Sequence, residues 1–205
     1  MMLTRRTIRC LATAVAALAL FIVVWHPDRA EAQTTDLVAQ GRQALDADKV
    51  DEAIAIFERA VTVDPKDPAA LAWLGSAQVR KARTAAPFDA PDWVKKGFNT
   101  LDEAVERFPD AFVVYMVRGT TATRVPDMFR KAPVAVKDLS TVVTMREKNP
   151  KAVPDTVMPS VYLHLGLAYK KTGQPADARA AWEKGKNLYP SAPEAQAIEQ
   201  ELRSL

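Results

Sequence analysis

The sequence predicts an all-α chain, an α-solenoid of about four two-helix units closed by a C-terminal capping helix. Three observations carry this. Apolar residues recur at spacings of three and four over 51–61 and 177–188, as amphipathic helices require. Small residues stand at matching places, Gly41, Gly75, Gly119 and Gly166. Prolines 65, 109, 150 and 190 each follow a helical run. Proline lacks an N–H and biases the preceding residue away from helix, so it ends such runs. A two-helix unit cannot bury its apolar face alone, so neighbouring units must stack.

Composition sets the outer bounds. At 205 residues the chain can fold around a core without staples, as one or two domains. A hydrophobic share of 48% and a charged share of 26% are near the globular average, which excludes wholesale disorder. One Cys excludes a Cys-rich zinc or redox site, and two His leave little for a multi-histidine metal site. The net charge of +3 suggests nucleic acid only until the charge is located.

Taken in order, residues 1–32 come first. Arg5, Arg6 and Arg9 form a positive start, and the sixteen residues Cys10–Trp25 carry no charge. Ala30-Glu31-Ala32 then supplies an A-x-A cleavage site. This is the plan of a secretory signal peptide, with the mature chain starting at Gln33. An uncleaved inner-membrane anchor facing the periplasm is the alternative, although the apolar run falls short of the ~20 residues a span needs. Arg5-Arg6 faintly resembles a twin-arginine signal. Residues 33–205 hold 24 basic and 23 acidic side chains and no Cys, so most of the basic excess belongs to the leader.

The first unit, about 34–67, and the fourth, about 159–192, agree with each other closely. Gly41, Ala53, Phe57, Ala60 and Pro65 stand at the same offsets as Gly166, Ala178, Trp182, Gly185 and Pro190. Unit two, about 68–111, opens with Leu71, Leu74 and Gly75; its second helix follows ten residues late as Gly97, Leu101, Ala104 and Pro109. Unit three, about 112–158, opens with Tyr115 and Gly119; its second helix is late by seven, as Asp138, Val142, Met145 and Pro150. The glycines let the second helix approach the first, Ala53 and Ala178 do so from the facing side, and Phe57, Leu101 and Trp182 fill the space between units. Asp51 and Asp177 sit near helix starts, where the dipole favours negative charge. Residues 193–203 read as a polar cap over the last apolar edge.

Tyr162, Leu165, Gly166, Tyr169, Ala178, Trp182, Gly185 and Pro190 follow the order W-x2-L-G-x2-Y…A-x3-F…A…P, with Tyr for Trp, Trp for Phe and Gly for the last Ala. In this the chain resembles the tetratricopeptide-repeat proteins over about 33–190. The resemblance implies a right-handed solenoid whose first helices line a concave, partner-binding surface. Carried over position by position, the wall has Thr35, Val38, Arg42, Leu45 and Asp46 in unit one, and Ala69, Ala72, Ser76, Val79 and Arg80 in unit two. Val113, Met116, Thr120, Thr123 and Arg124 follow in unit three, and Ser160, Leu163, Leu167, Lys170 and Lys171 in unit four. The residues expected to contact a partner are Arg42, Ser76, Arg80, Met116, Thr120, Arg124, Leu163, Leu167 and Lys170. Such a trough suits a peptide segment with apolar side chains and some negative charge. Arg80, Arg124 and Lys170 also lie near helix C-termini, where cations are favoured without any ligand. The family's carboxylate clamp is not expected, because Val38, Arg42, Trp73, Val113 and Val117 occupy its places.

The insertions, Pro87-Phe88-Asp89-Ala90-Pro91-Asp92-Trp93 and Pro126-Asp127-Met128-Phe129-Arg130, carry aromatic residues and Met. Folding back onto the solenoid is the expectation, since exposed aromatic patches are a liability; a docking patch is the other reading. No enzyme is expected. His164 has no Ser or Asp arrangement near it in sequence, and Asp102-Glu103 and Glu199/Glu201 are spaced for solvent. No phosphate loop, H-E-x-x-H or calcium loop appears, so no cofactor or metal is expected. Lys95-Lys96, Lys170-Lys171, Lys184 and Lys186 are too few and too mixed with acids for nucleic acid. The expected function is an exported, periplasmic scaffold that binds a protein or peptide, as an assembly or accessory factor of an envelope complex. The alternative is a dedicated subunit of an envelope enzyme or transporter, docked through the insertions. Membrane contact is expected only through an uncleaved N-terminal segment.

Overall fold

The computed structural model describes residues 27–205, with side chains from Glu31 onward. The leader call at 1–32 falls mostly outside these residues. Among the described residues there are nine α-helices and no strand: α1 Pro27–Asp46, α2 Val50–Val63, α3 Pro68–Lys81, α4 Ala90–Arg107, α5 Phe112–Arg124, α6 Ala132–Lys148, α7 Met158–Lys171, α8 Pro175–Leu188 and α9 Glu194–Arg203. They form an all-α solenoid. Each odd-numbered helix from α1 to α7 packs most closely on the even one after it, and α1, α3, α5, α7 and α9 also touch in series. The first helices therefore build one continuous wall.

The helix ends follow from proline chemistry. Pro65, Pro109, Pro150 and Pro190 each lie two residues beyond the last helical residue of α2, α4, α6 and α8. Other prolines start helices. Pro68 opens α3, where Asp67 accepts from the N–H of Ala69 at 2.7 Å and of Ala70 at 3.1 Å. An N1 proline gives up an N–H that has no intrahelical partner anyway.

Within units, close approach depends on missing side chains. A Cβ on Gly75 would meet the Gly97 carbonyl oxygen at 2.8 Å, so α3 and α4 touch backbone to backbone. At Gly166 the space goes to the Trp182 indole, whose N–H donates to the Leu163 carbonyl at 3.0 Å. Phe57 is buried over Gly41 and stacks on Trp73 of the next unit, ring centroids 6.5 Å apart. Unit three is different. Asp138 stands in register with Ala53 and Ala178, yet it is fully buried. Arg118 of α5 grips it with two bonds, Nε at 2.7 Å and a terminal nitrogen at 2.8 Å, and reaches Asp102 of α4 at 2.8 Å. Burial pushes the Asp138 carboxyl up, against the pull of Arg118. Nothing in the periodicity points to this bridge.

The insertions resolve in two ways. The first spends part of its length on α4, which at 18 residues outruns the 14 of α2 and takes in Trp93. The second forms a short 3-10 turn at Asp127–Phe129, held through Lys171, which reaches Asp127 at 2.9 Å and the Val125 carbonyl at 3.2 Å. The expectation that their apolar residues fold back fails for half of them. Phe129 does pack on the core, but Phe88 is 94% exposed and Met128 79%. Phe88 lies in the turn just before α4 and Met128 within the 3-10 turn, each with a proline one or two residues before it.

Candidate binding pocket

Along α3 the side chains 73, 76 and 80 fall on one face, by helical spacing. The same holds for 116, 120 and 124 on α5. These stripes, with Arg42, Leu45 and Asp46 of α1 and Ser160 of α7, line a concave cavity of about 880 Å³. The insertions wall it. Ala90 borders it from the first, with Val94 of α4 and with Ala82 and Arg83 from the turn ahead of it; Pro126 and Phe129 border it from the second, with Val125 just before. Glu194, at the start of α9, closes the far side. The expected open trough is thus a bounded bowl.

Its chemistry is apolar with a basic margin. Trp73, Val79, Met116 and Phe129 offer carbon surface, and Arg42 lies over the Trp73 ring at 5.0 Å from its centroid. Arg42, Arg80, Arg83 and Arg124 face only two acids, Asp46 and Glu194, within the lining. Arg80 holds Asp48 at 3.1 Å, while its Nε is buried without a hydrogen-bond partner. The Arg124 side chain is reached by solvent, but the surrounding walls, then the charge of Arg80, draw its pKa below the usual arginine value, with Asp46 opposing.

His164 stands behind this margin on α7, buried. Its Nδ1 is 2.7 Å from the Thr123 hydroxyl, and Arg124 donates to its Nε2 at 3.4 Å. Thr123 in turn donates to the Thr120 carbonyl at 2.8 Å. One proton arrangement satisfies the whole chain: a neutral imidazole with its hydrogen on Nδ1. Burial, and then Arg124, lower its pKa to about 4, which keeps it neutral. His164 thus accepts from Arg124 on one side and spends its Nδ1–H on the Thr123 hydroxyl on the other.

Of the expected contact residues, Arg42, Ser76, Arg80, Met116, Thr120 and Arg124 come together in this pocket. Leu163, Leu167 and Lys170 lie elsewhere. Helix α9 packs across their end of the wall, placing Leu163 and Leu167 against Trp182 and Ile198 and pairing Lys170 with Glu201 at 2.8 Å. The cap occupies that part of the groove. Trp73, Arg83, Val94, Phe129 and Glu194 are outside the expected contact set. Trp73 is legible as the i−3 neighbour of Ser76. The other four reach the pocket from elements whose placement no local pattern states. Among the described residues no group of three or more His, Cys, Asp or Glu is arranged to hold a metal ion, and no helix is long and apolar enough to cross a membrane.

A solenoid with paired helices, a first-helix wall and a concave pocket belongs to the helical-repeat class of interaction proteins. Residues 42–67 and 160–192 each match a model of the tetratricopeptide repeat, so the chain carries tetratricopeptide repeats in its first and fourth units. Such repeats support a protein–protein interaction scaffold. Two solved structures are similar. A point mutant of MamA is 21% identical with a TM-score of 0.51, over 82% of this chain and 84% of that one. A thermophilic TPR protein in Thermus thermophilus is 17% identical with a TM-score of 0.50, over 84% of this chain and 100% of that one. At such identities the likeness is one of fold. Among curated proteins none matches the chain.

Proposed function

We propose that the chain is an exported, non-enzymatic scaffold that holds a segment of a partner protein in its concave pocket, serving the assembly of a cell-envelope complex. The walled pocket with carbon surface and four arginines carries this reading. Export rests on residues 1–32, with their basic start, uncharged core and A-x-A site. Cleavage after Ala32 leaves Gln33–Asp46 as a first helix as long as the 14-residue α2.

A second reading keeps its own observation. Phe88 and Met128 project from neighbouring loops that both join a first helix to a second, so they emerge at the same edge of the solenoid. They would suit docking as a fixed subunit of an envelope enzyme or transporter.

The two readings separate by variants. In capture from envelope extract, Arg42→Glu with Arg124→Glu removes the partner if the pocket binds it. Phe88→Ser with Met128→Ser removes a stoichiometric complex if the loops do. Capture unaffected by the first pair overturns the pocket reading. N-terminal sequencing of the exported protein decides between Gln33 and an uncleaved leader.

A further inference from the structure

Asp46, Arg80, Arg124 and Lys171 occupy one equivalent place near the ends of α1, α3, α5 and α7, five residues after Gly41, Gly75, Gly119 and Gly166. The chain itself shows what two of the three cations take up. Arg80 pairs with Asp48 at 3.1 Å. Lys171 pairs with Asp127 at 2.9 Å and donates to the Val125 carbonyl at 3.2 Å. Arg124 has no carboxylate at ion-pair distance among the described residues, and its side-chain hydrogen bond is the 3.4 Å contact to His164. A guanidinium carries five N–H donors in a fixed fork, so most of its capacity is unspent.

Helix α9 offers an internal pattern for the missing group. There an acid, Glu201, meets Lys170, one residue before the row, while Ile198 and Leu202 beside it pack with Leu163 and Leu167. The pocket at Arg124 repeats these parts: a cation, then carbon surface from Trp73, Met116 and Phe129. We infer that the pocket selects an acidic side chain of the partner segment, bound at Arg124 with Arg80 beside it, next to an apolar or aromatic side chain on the Trp73–Met116–Phe129 wall. This rests on the reading that the pocket takes a protein segment. An incoming carboxylate would also offset the mutual repulsion of Arg80 and Arg124, whose charges are already felt between them. His164 acts as a positioning residue, holding Arg124 from behind through a neutral ring.

Decapeptides selected by display on the full chain supply the probe. The expected result is an Asp or Glu in fixed register beside an apolar residue. Arg124→Gln should then weaken a selected peptide by about tenfold, as loss of a charge-assisted bond does. Changing the peptide's Glu to Gln should cost about the same on the wild-type chain and nothing further on Arg124→Gln, the signature of one shared interaction. Arg124→Lys should keep the preference for an acid, which separates charge from any change in fold. Selected peptides with no acid preference, or fully additive losses, overturn the acidic subsite and leave the pocket reading standing. Peptides whose binding is indifferent to Arg42→Glu and Met116→Asp overturn both.

Discussion

Asp138 and Arg118 show how one residue can depart from a repeat and be accommodated. Where the other units place Ala or Gly, unit three buries a carboxylate and supplies a nearly buried guanidinium on the facing helix. The pair is costly to break from one side, since the survivor is left as an uncompensated buried charge. Asp138→Asn should lose about 3–5 kcal/mol in urea unfolding, while Asp138→Leu with Arg118→Met should recover most of it. His164 gives a second residue-scale prediction. Its folded pKa of about 4 lies below the ordinary 6.5, so the unfolded chain binds the proton more readily between those values. The stability due to the neutral ring is whole above about pH 6.5 and is lost as pH falls toward 4. The loss approaches roughly 3 kcal/mol at the acid end. His164→Gln should flatten this acid limb in melting curves from pH 7.5 to 4.5. Comparison with the variant cancels the opposite influence of Asp138, whose raised pKa acts in both proteins.

At the scale of elements, α9 carries more than its ten residues suggest. It covers Trp182, fills the last stretch of wall and sets Glu194 at the pocket's far side. Ile198, 1% exposed, is its anchor, so Ile198→Ala should cost about 2–4 kcal/mol by calorimetry. Helix α3 depends instead on the absence of a side chain. Gly75→Ala puts a methyl against the backbone of α4, and the two helices must part, at about 1–3 kcal/mol in the same measurement. Both positions are legible in the sequence: Gly75 from its recurrence, α9 from its cap-like composition. What α9 covers is not, because a helix's partner depends on how the preceding pair is turned. The expectation that Leu163, Leu167 and Lys170 face a ligand follows the repeat register, which is blind to the helix that succeeds it.

Across the whole molecule, four units of one plan present unequal surfaces. Units one to three hold most of the cavity, with Ser160 from unit four, the insertions wall it, and the cap occupies the rest of unit four's wall. The N-terminal boundary is also a whole-molecule matter. Glu31, Ala32 and Gln33 are exposed, while Thr34 and Leu37 are buried. A chain beginning at Gln33 should therefore unfold within about 0.5 kcal/mol of one beginning at Glu31, as exposed positions do when changed.

The amino-acid sequence alone determined the all-α class, the repeat and its helix ends. These follow from local physics: helical apolar spacing, glycine at close approaches and proline after each second helix. It also determined which first-helix cations exist. Only the tertiary structure decided which of them remain unpaired, that the insertions bound a pocket while Phe88 and Met128 project, and that Arg118 and Asp138 meet. Those outcomes turn on which distant side chain supplies a partner or strips water from a group, and neither is encoded at any fixed spacing along the chain.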